Sequence, residues 1–284
     1  MLAARAGYIA GFSGTATVAA GLEFGIPVYG AMAHSFIQAH DDEVLAFEHF
    51  ACSHPRGLVL LIDTYDTERA ARRVVALAPR LATQGITIEG VRIDSGDLGE
   101  HARWGRRILD NGRLASVKIV ASGGLDEYAL QDLSRSGAPI DSYGIGTSLT
   151  TASDAPALDC AYKLQEYAGK ARRKRSEGKA TWPGRKQVWR RYSEDRRLAG
   201  DLVSLADDRQ EGEALLRPAM RGGRPLGDIA DLAAARDPAK DQLARLPEPL
   251  MRLEPYNYPV EIGAPVRQLA AELDREPDRG GIIE

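Results

Sequence analysis

Several short segments of this sequence place reactive side chains directly after apolar runs. Ile26-Pro27-Val28-Tyr29 leads into Gly30-Ala31-Met32-Ala33-His34-Ser35, and Val59-Leu60-Leu61-Ile62 leads into Asp63-Thr64-Tyr65-Asp66. Val91 opens Arg92-Ile93-Asp94-Ser95-Gly96-Asp97, and Val117-Lys118-Ile119-Val120 leads into Ala121-Ser122-Gly123-Gly124. Tyr143-Gly144-Ile145-Gly146-Thr147 closes the series. The chemistry on offer is an imidazole, carboxylates, a guanidinium and two glycine-rich turns. Parallel α/β proteins gather such groups at one end of successive strands to hold a phosphorylated ligand.

Each residue carries a functional reading beside a structural one. A neutral imidazole such as His34 is a competent nucleophile near pH 7; as a structural residue it would fill space and bond a backbone carbonyl. His40, His49, His54 and His101 receive only the structural reading, because no pair among them, with carboxylates, spells a metal site. Asp63 would hold a neighbouring imidazole in one tautomer and stabilise its charged form, or, with Asp66, simply form a turn or cap. Strand alternation puts Arg92 and Asp94 on one face. There the guanidinium can pair with a carboxylate or phosphate, and the carboxylate can accept two hydrogen bonds from a ribose diol. The alternative is an internal ion pair with Asp97 as a helix cap. The turns Ser122-Gly123-Gly124-Leu125-Asp126 and Gly144-Ile145-Gly146-Thr147-Ser148 offer backbone N–H groups to phosphate, although tight turns need glycine in any case. Lys118 is a Schiff-base candidate, a phosphate contact or an internally paired lysine.

A strand–helix alternation must position these groups. Strands are expected near 26–30, 58–62, 88–93, 117–121 and 141–145, and helices near 41–51, 67–83, 98–110 and 126–135, at intervals of about one βαβ unit. Asp66, Asp97 and Asp126 each precede a helical pattern as N-caps. Residues 1–9 read as a helix tail ended by Gly11, and Thr15 or Thr17 as the cap of a following helix. Five units make only part of an eight-unit barrel, so either the sheet is open or earlier strands are missing; the chain starts as if in mid-fold, and either the coding sequence is expected to be N-terminally short or the partner strands to come from elsewhere. The fold class is thus α/β, a partial (β/α) barrel over residues 1–168, with an α+β extension over 169–284. A helix is expected over 152–168, capped by Ser153 or Asp154, then a basic run at 170–175 and a turn between short strands at 181–189. Further helices are expected near 228–246 and 264–274, with a frayed tail beyond Arg275.

Composition narrows the classes. Of 284 residues, 44% are hydrophobic and 27% charged, ordinary for a soluble enzyme. A net charge of −3 offers no electrostatic case for nucleic acid or an anionic membrane. The two cysteines, Cys52 and Cys160, have no metal-ligand spacing and read as free thiols in a reducing, cytoplasmic setting. No apolar run is long enough for a membrane span, and no signal peptide is read.

Taken together, the segments resemble the nicotinate phosphoribosyltransferase family, most strongly from Gly21 through Thr151 and again over 176–188. Ala33-His34-Ser35, Arg92-Ile93-Asp94-Ser95-Gly96-Asp97 and Tyr143-Gly144-Ile145-Gly146-Thr147 carry the resemblance. It implies a type II phosphoribosyltransferase barrel that joins nicotinate to 5-phosphoribosyl 1-diphosphate, giving nicotinate mononucleotide and pyrophosphate in NAD salvage. It further implies ATP hydrolysis through a phosphohistidine at His34, with Asp63 orienting that ring. Arg92 would lie beside the pyridine ring and its carboxylate, and Asp94 near the ring and ribose. Ser122, Gly123, Gly124, Gly146 and Thr147 would hold the ribose 5-phosphate, with Mg²⁺ on the diphosphate. Members act as ATP-dependent enzymes of the ligase or glycosyltransferase type, as homodimers. Nicotinamide-using relatives carry an aspartate where this chain has Ala16, and its absence favours nicotinate. The N-terminal domain of full-length members has no counterpart in these residues. Two rival readings stand beside this one: a truncated, catalytically silent phosphate-binding homologue, and a barrel aldolase using Lys118.

Overall fold

The computed structural model describes all residues except 153, 159, 227–231 and 276–284. The chain divides into two compact units, Met1–Ala4 with Gly14–Pro156, and Arg5–Ser13 with Ala157–Glu284. Helix α1 covers Leu2–Ala10 and ends at Gly11, whose φ is +122°.

The first unit is a parallel sheet with helical crossovers. Short helices α2 (Val18–Phe24) and α3 (His34–Gln38) precede α4 (Glu43–Ser53). The alternation then runs β1 (Leu58–Leu61), α5 (Thr67–Ala82), β2 (Ile88–Ile93), α6 (Leu98–Asn111), β3 (Lys118–Ser122), α7 (Glu127–Arg135), β4 (Ser142–Gly144) and α8 (Thr147–Thr151). The four strands pair in the order β1-β2-β3-β4, all parallel. The strand expected at 26–30 is reduced to one parallel bridge, Thr15 to Val28. Thr17 precedes α2 without a side-chain cap bond; its N–H bonds the Thr15 hydroxyl instead.

Local chemistry sets the boundaries. The Asp66, Asp97 and Asp126 carboxylates accept from the N–H groups of Arg69, Glu100 and Ala129 at 2.8, 2.9 and 2.8 Å, starting α5, α6 and α7 as expected. Ala70, Ala71, Val74, Leu77 and Leu81 of α5 fall on one helical stripe and are buried. They meet Leu58, Leu60, Leu61, Val91, Ile93 and Ile119 of the strands in a single core. Each fully buried leucine or isoleucine there stabilises the fold by about 1.5–3 kcal/mol. That core fixes the carboxyl ends of β1, β2 and β3 side by side.

The helix expected over 152–168 does not form. α8 ends at Thr151, and Ala152 takes a left-handed φ of +43°. Glu166–Tyr167 (β5) instead pairs antiparallel with Lys170–Ala171 (β6). Ser153, the suggested cap, lies outside the described residues, as does the tail beyond Arg275.

The second unit is built on a sheet of different connectivity. Its order is β12-β8-β7-β9, from β7 (Lys186–Tyr192), β8 (Leu198–Leu205), β9 (Glu213–Ala214) and β12 (Val260–Ile262). β7 and β8 form an antiparallel pair, and every second residue of β8 is buried. A two-stranded ribbon, β10 (Met220–Arg221) with β11 (Arg224–Pro225), precedes α9 (Leu232–Ala244), and α10 (Ala264–Arg275) follows β12. The basic run turns inward in part: Arg173 bonds Asp274 at 2.9 Å and the Thr181 carbonyl at 2.7 Å.

Candidate active site

The carboxyl ends of β1, β2 and β3 bring five of the expected residues together. Leu61 pairs with Arg92 in the sheet register, and Arg92 with Val120. Asp63 therefore follows β1 just where Asp94 follows β2 and Ser122 ends β3. His34 reaches the same place from the first position of α3.

Asp63 is the anchor. Its side chain is only 2% exposed. One oxygen, Oδ2, accepts the Asp94 N–H at 2.8 Å and the Ser95 hydroxyl at 2.6 Å. The other, Oδ1, is buried without a hydrogen-bond partner and lies 3.9 Å from His34 Nε2. Asp94 is divided in the same way. Its Oδ1 accepts from the Ser122 hydroxyl at 2.5 Å and lies 3.4 Å from Arg92 Nη2, while Oδ2 faces His34 Nε2 at 3.7 Å. Arg92 Nε is buried with no hydrogen-bond partner. Buried donors and acceptors are seldom left unpaired, since each costs about 1–3 kcal/mol. The open Asp63 Oδ1 and Arg92 Nε are thus groups with bonding capacity in reserve, the first 3.9 Å from the imidazole.

The His34 ring is held from its other edge. Nδ1 lies 3.1 Å from the Thr64 hydroxyl. The contacts at Nε2, to Asp63 and Asp94, are longer than hydrogen bonds. Neither Thr64 nor Ser95 carries a role in the sequence reading. Alternation along a strand sends neighbours to opposite faces; β1 ends at Leu61, and beyond it Asp63 and Thr64 both approach His34.

Among the glycines, Gly123 is fixed by sterics. Its φ is +92°, and an added Cβ would stand 1.9 Å from the Asp94 carbonyl oxygen. Only glycine lets the β3 turn pass this close to Asp94. Gly124, with φ +61°, stands in open space. Beside this turn lies an open cleft of about 420 Å³, walled by Gly96, Gly99, Arg103 and Gly124. A larger cleft of about 630 Å³ lies in the second unit around Trp182 and Arg267 and contains none of the expected site residues.

The other expected residues are placed as follows. Ser122, expected on the ribose 5-phosphate, donates its hydroxyl to Asp94. Gly146 and Thr147 start α8 after β4, and among the described residues no hydrogen bond or ion pair joins their side of the site to His34. Lys118 opens β3 at the opposite, amino end of the sheet and is exposed, so it is not a lysine buried at the site mouth. His40 and His49 pair with each other, Nε2 to Nδ1 at 3.0 Å, and His40 Nδ1 meets the Phe36 carbonyl at 2.8 Å. Both are structural contacts, as expected. Cys52 and Cys160 are free and exposed. Among the described residues no helix is long and apolar enough to cross a membrane.

Comparison with known proteins decides the family. The sequence model of the Nicotinate phosphoribosyltransferase (NAPRTase) family matches residues 4–181, more than half of the chain. The chain belongs to this family. It is 46% identical over 262 residues to nicotinate phosphoribosyltransferase pncB2 of Mycobacterium tuberculosis, covering 91% of this chain and 56% of that protein. It is 39% identical over 224 residues to the nicotinate phosphoribosyltransferase of Bacillus subtilis, covering 76% of this chain and 46% of the relative. The crystal structure of human nicotinic acid phosphoribosyltransferase superposes with a TM-score of 0.78 at 26% identity, over 95% of this chain and 66% of that one. The parallel sheet is thus part of the type II phosphoribosyltransferase fold. The chain spans about half the length of the curated relatives it matches.

Proposed function

We propose that this chain carries the catalytic groups of a nicotinate phosphoribosyltransferase of NAD biosynthesis. The ring nitrogen of nicotinate attacks C1 of 5-phosphoribosyl 1-diphosphate. The C1–O bond to the diphosphate breaks, and pyrophosphate leaves with the bonding pair. Charge on the ribose ring peaks at an oxocarbenium-like transition state, so the protein's work is positioning and charge stabilisation. Arg92 suits the nicotinate carboxylate: its Nε is buried and unpaired, and a guanidinium bonds a carboxylate through two parallel N–H groups. Asp94 faces the ribose, aligned by Ser122. Gly123, Gly124, Gly146 and Thr147 receive the 5-phosphate through backbone N–H groups.

His34 is the phosphate acceptor in this reading. The imidazole displaces ADP from ATP to form a phosphohistidine, which water later hydrolyses. Asp63 supports the positive ring through Oδ1, which has no hydrogen-bond partner and lies 3.9 Å from Nε2. Among the described residues, no group of three or more His, Cys, Asp or Glu side chains could hold a metal ion. Mg²⁺ enters with the diphosphate as its counter-ion. A cytoplasmic homodimer completes the proposal.

The convergence of His34, Asp63, Arg92 and Asp94 at neighbouring strand ends carries this reading. Turnover tests it. The chain is incubated with nicotinate and 5-phosphoribosyl 1-diphosphate, with and without ATP, and nicotinate mononucleotide is measured. ATP should stimulate product formation, and His34→Ala should remove the stimulation. No product under either condition would favour a silent homologue, a reading that the half-length span of the chain keeps open.

A further inference from the structure

We infer that Ser95 is the positioning residue of Asp63, fixing which carboxylate oxygen faces His34; this role rests on the reading of His34 as the phosphate acceptor. The last torsion of an aspartate side chain is broad and nearly two-fold, so local sterics do not decide where each oxygen points. At Asp63 hydrogen bonds decide it. Oδ2 accepts from the Ser95 hydroxyl at 2.6 Å and from the Asp94 N–H at 2.8 Å, whereas Oδ1, among the described residues, accepts from none. Two donors converge on one oxygen, and the other is left facing the imidazole, 3.9 Å from Nε2. At that distance Asp63 acts on the ring by charge and not by a hydrogen bond. Its effect therefore depends on where the carboxylate is held, and it takes no lone pair from the imidazole.

Ser95 is suited to this work by its place. It stands two residues beyond the end of β2 and is exposed, yet its hydroxyl turns to a carboxylate that is only 2% exposed. Gly96 then turns the chain with a φ of +74°, and Asp97 caps α6, so the segment is held by the strand before it and the helix after it. The Asp94 N–H alone would tether Oδ2 at one point and let the carboxylate swing about it. The serine supplies the second point, through a hydrogen bond of the stronger kind that an ionised acceptor makes. Ser95 lies outside the apolar core, so loss of its hydroxyl removes an orienting contact without opening a cavity there.

The test compares Ser95→Ala, which loses the hydroxyl, with Ser95→Thr, which keeps it, and repeats Ser95→Ala in an Asp63→Asn background. Two readouts are taken on the full chain. The first is the ¹³C signal of the Asp63 carboxyl, assigned by its loss in Asp63→Asn. The second is the rate of phosphorylation by γ-labelled ATP, with the KM for nicotinate measured alongside. Ser95→Ala should move the carboxyl signal and slow labelling about tenfold, the scale of a hydrogen bond to a charged group, leaving the nicotinate KM in place. Ser95→Thr should return both readouts toward the wild type. In the Asp63→Asn background Ser95→Ala should slow labelling no further, because the two residues act as one unit. A wild-type signal with wild-type labelling in Ser95→Ala would overturn the inference, as would equal impairment of the alanine and threonine variants, or a full tenfold loss on top of Asp63→Asn. If the wild-type chain takes no label, the carboxyl signal decides. A shift in Ser95→Ala that Ser95→Thr reverses leaves positioning by Ser95 standing while the phosphate-acceptor reading falls, and an unmoved signal overturns both.

Discussion

The strand ends of the first unit and the sheet of the second hold charge differently. Among the described residues of the second, the part-buried Arg190 and Lys186 are fully engaged. Arg190 bonds both Asp201 oxygens at 2.9 Å and Gln242 at 3.0 Å, and Asp201 also accepts from Tyr258 at 3.1 Å. Lys186 reaches three oxygens, of Gln165, Trp182 and Gly184, at 2.7–2.8 Å, and burial lowers its pKa below 10.5. Arg236 covers the Gly11 and Phe12 carbonyls after α1 and stacks on Tyr8. In the first unit, Asp63 Oδ1 and Arg92 Nε stay open at the strand ends. A third open atom, Glu43 Oε1, belongs to a side chain whose Oε2 pairs with Arg73 at 2.6 Å. Saturated charges hold a sheet together. Open ones at the strand ends leave bonding capacity for a ligand.

That contrast breaks most sharply at Arg92. Arg92→Ala should raise the nicotinate KM about a hundredfold, the scale of a charged hydrogen-bonded pair, with little loss of thermal stability. Arg92→Lys should recover only a small part, because an ammonium lacks the planar fork. Steady-state kinetics with varied nicotinate check both. An Arg92→Ala chain that unfolds readily while binding nicotinate normally would place Arg92 with the structural arginines.

Arg190→Ala should do the reverse. It strands Asp201, whose side chain is 11% exposed, and should lower stability by about 3 kcal/mol in denaturant titration. Phosphorylation of the remaining folded chain should be unaffected. A smaller effect sharpens the same comparison. Burial first, then the Asp201 charge, raises the Tyr258 pKa above 10.0. The folded state favours the neutral phenol, so this contribution is complete below pH 10.0 and is lost as pH climbs through the raised folded value. Melting temperatures taken on either side of pH 10.0 should fall less steeply in Tyr258→Phe than in the wild type.

Much of the first unit was legible in the sequence because its signals are local. The Asp66, Asp97 and Asp126 caps and the apolar strands each lie within one element, and the structure places them as expected. The meeting of Asp63 with Asp94 was legible because each follows a strand that the alternation predicts, whereas the strand expected before His34 shrinks to one bridge. The Ser122–Asp94 bond was not, since a glycine turn after a strand signals phosphate whatever its serine does. Thr64 was missed because strand alternation lapses once β1 has ended. The expected helix over 152–168 failed where Ala152 turns left-handed, a conformation that an alanine gives no hint of. The Arg236 contact to α1 spans more than two hundred residues and has no local signature.

The most direct test of the central claim is incubation of the full chain with γ-labelled ATP, followed by peptide mapping of acid-labile phosphate. The account predicts label on the peptide carrying His34, lost in His34→Ala and retained in Arg190→Ala. Label that survives His34→Ala, or maps to another peptide, would contradict it.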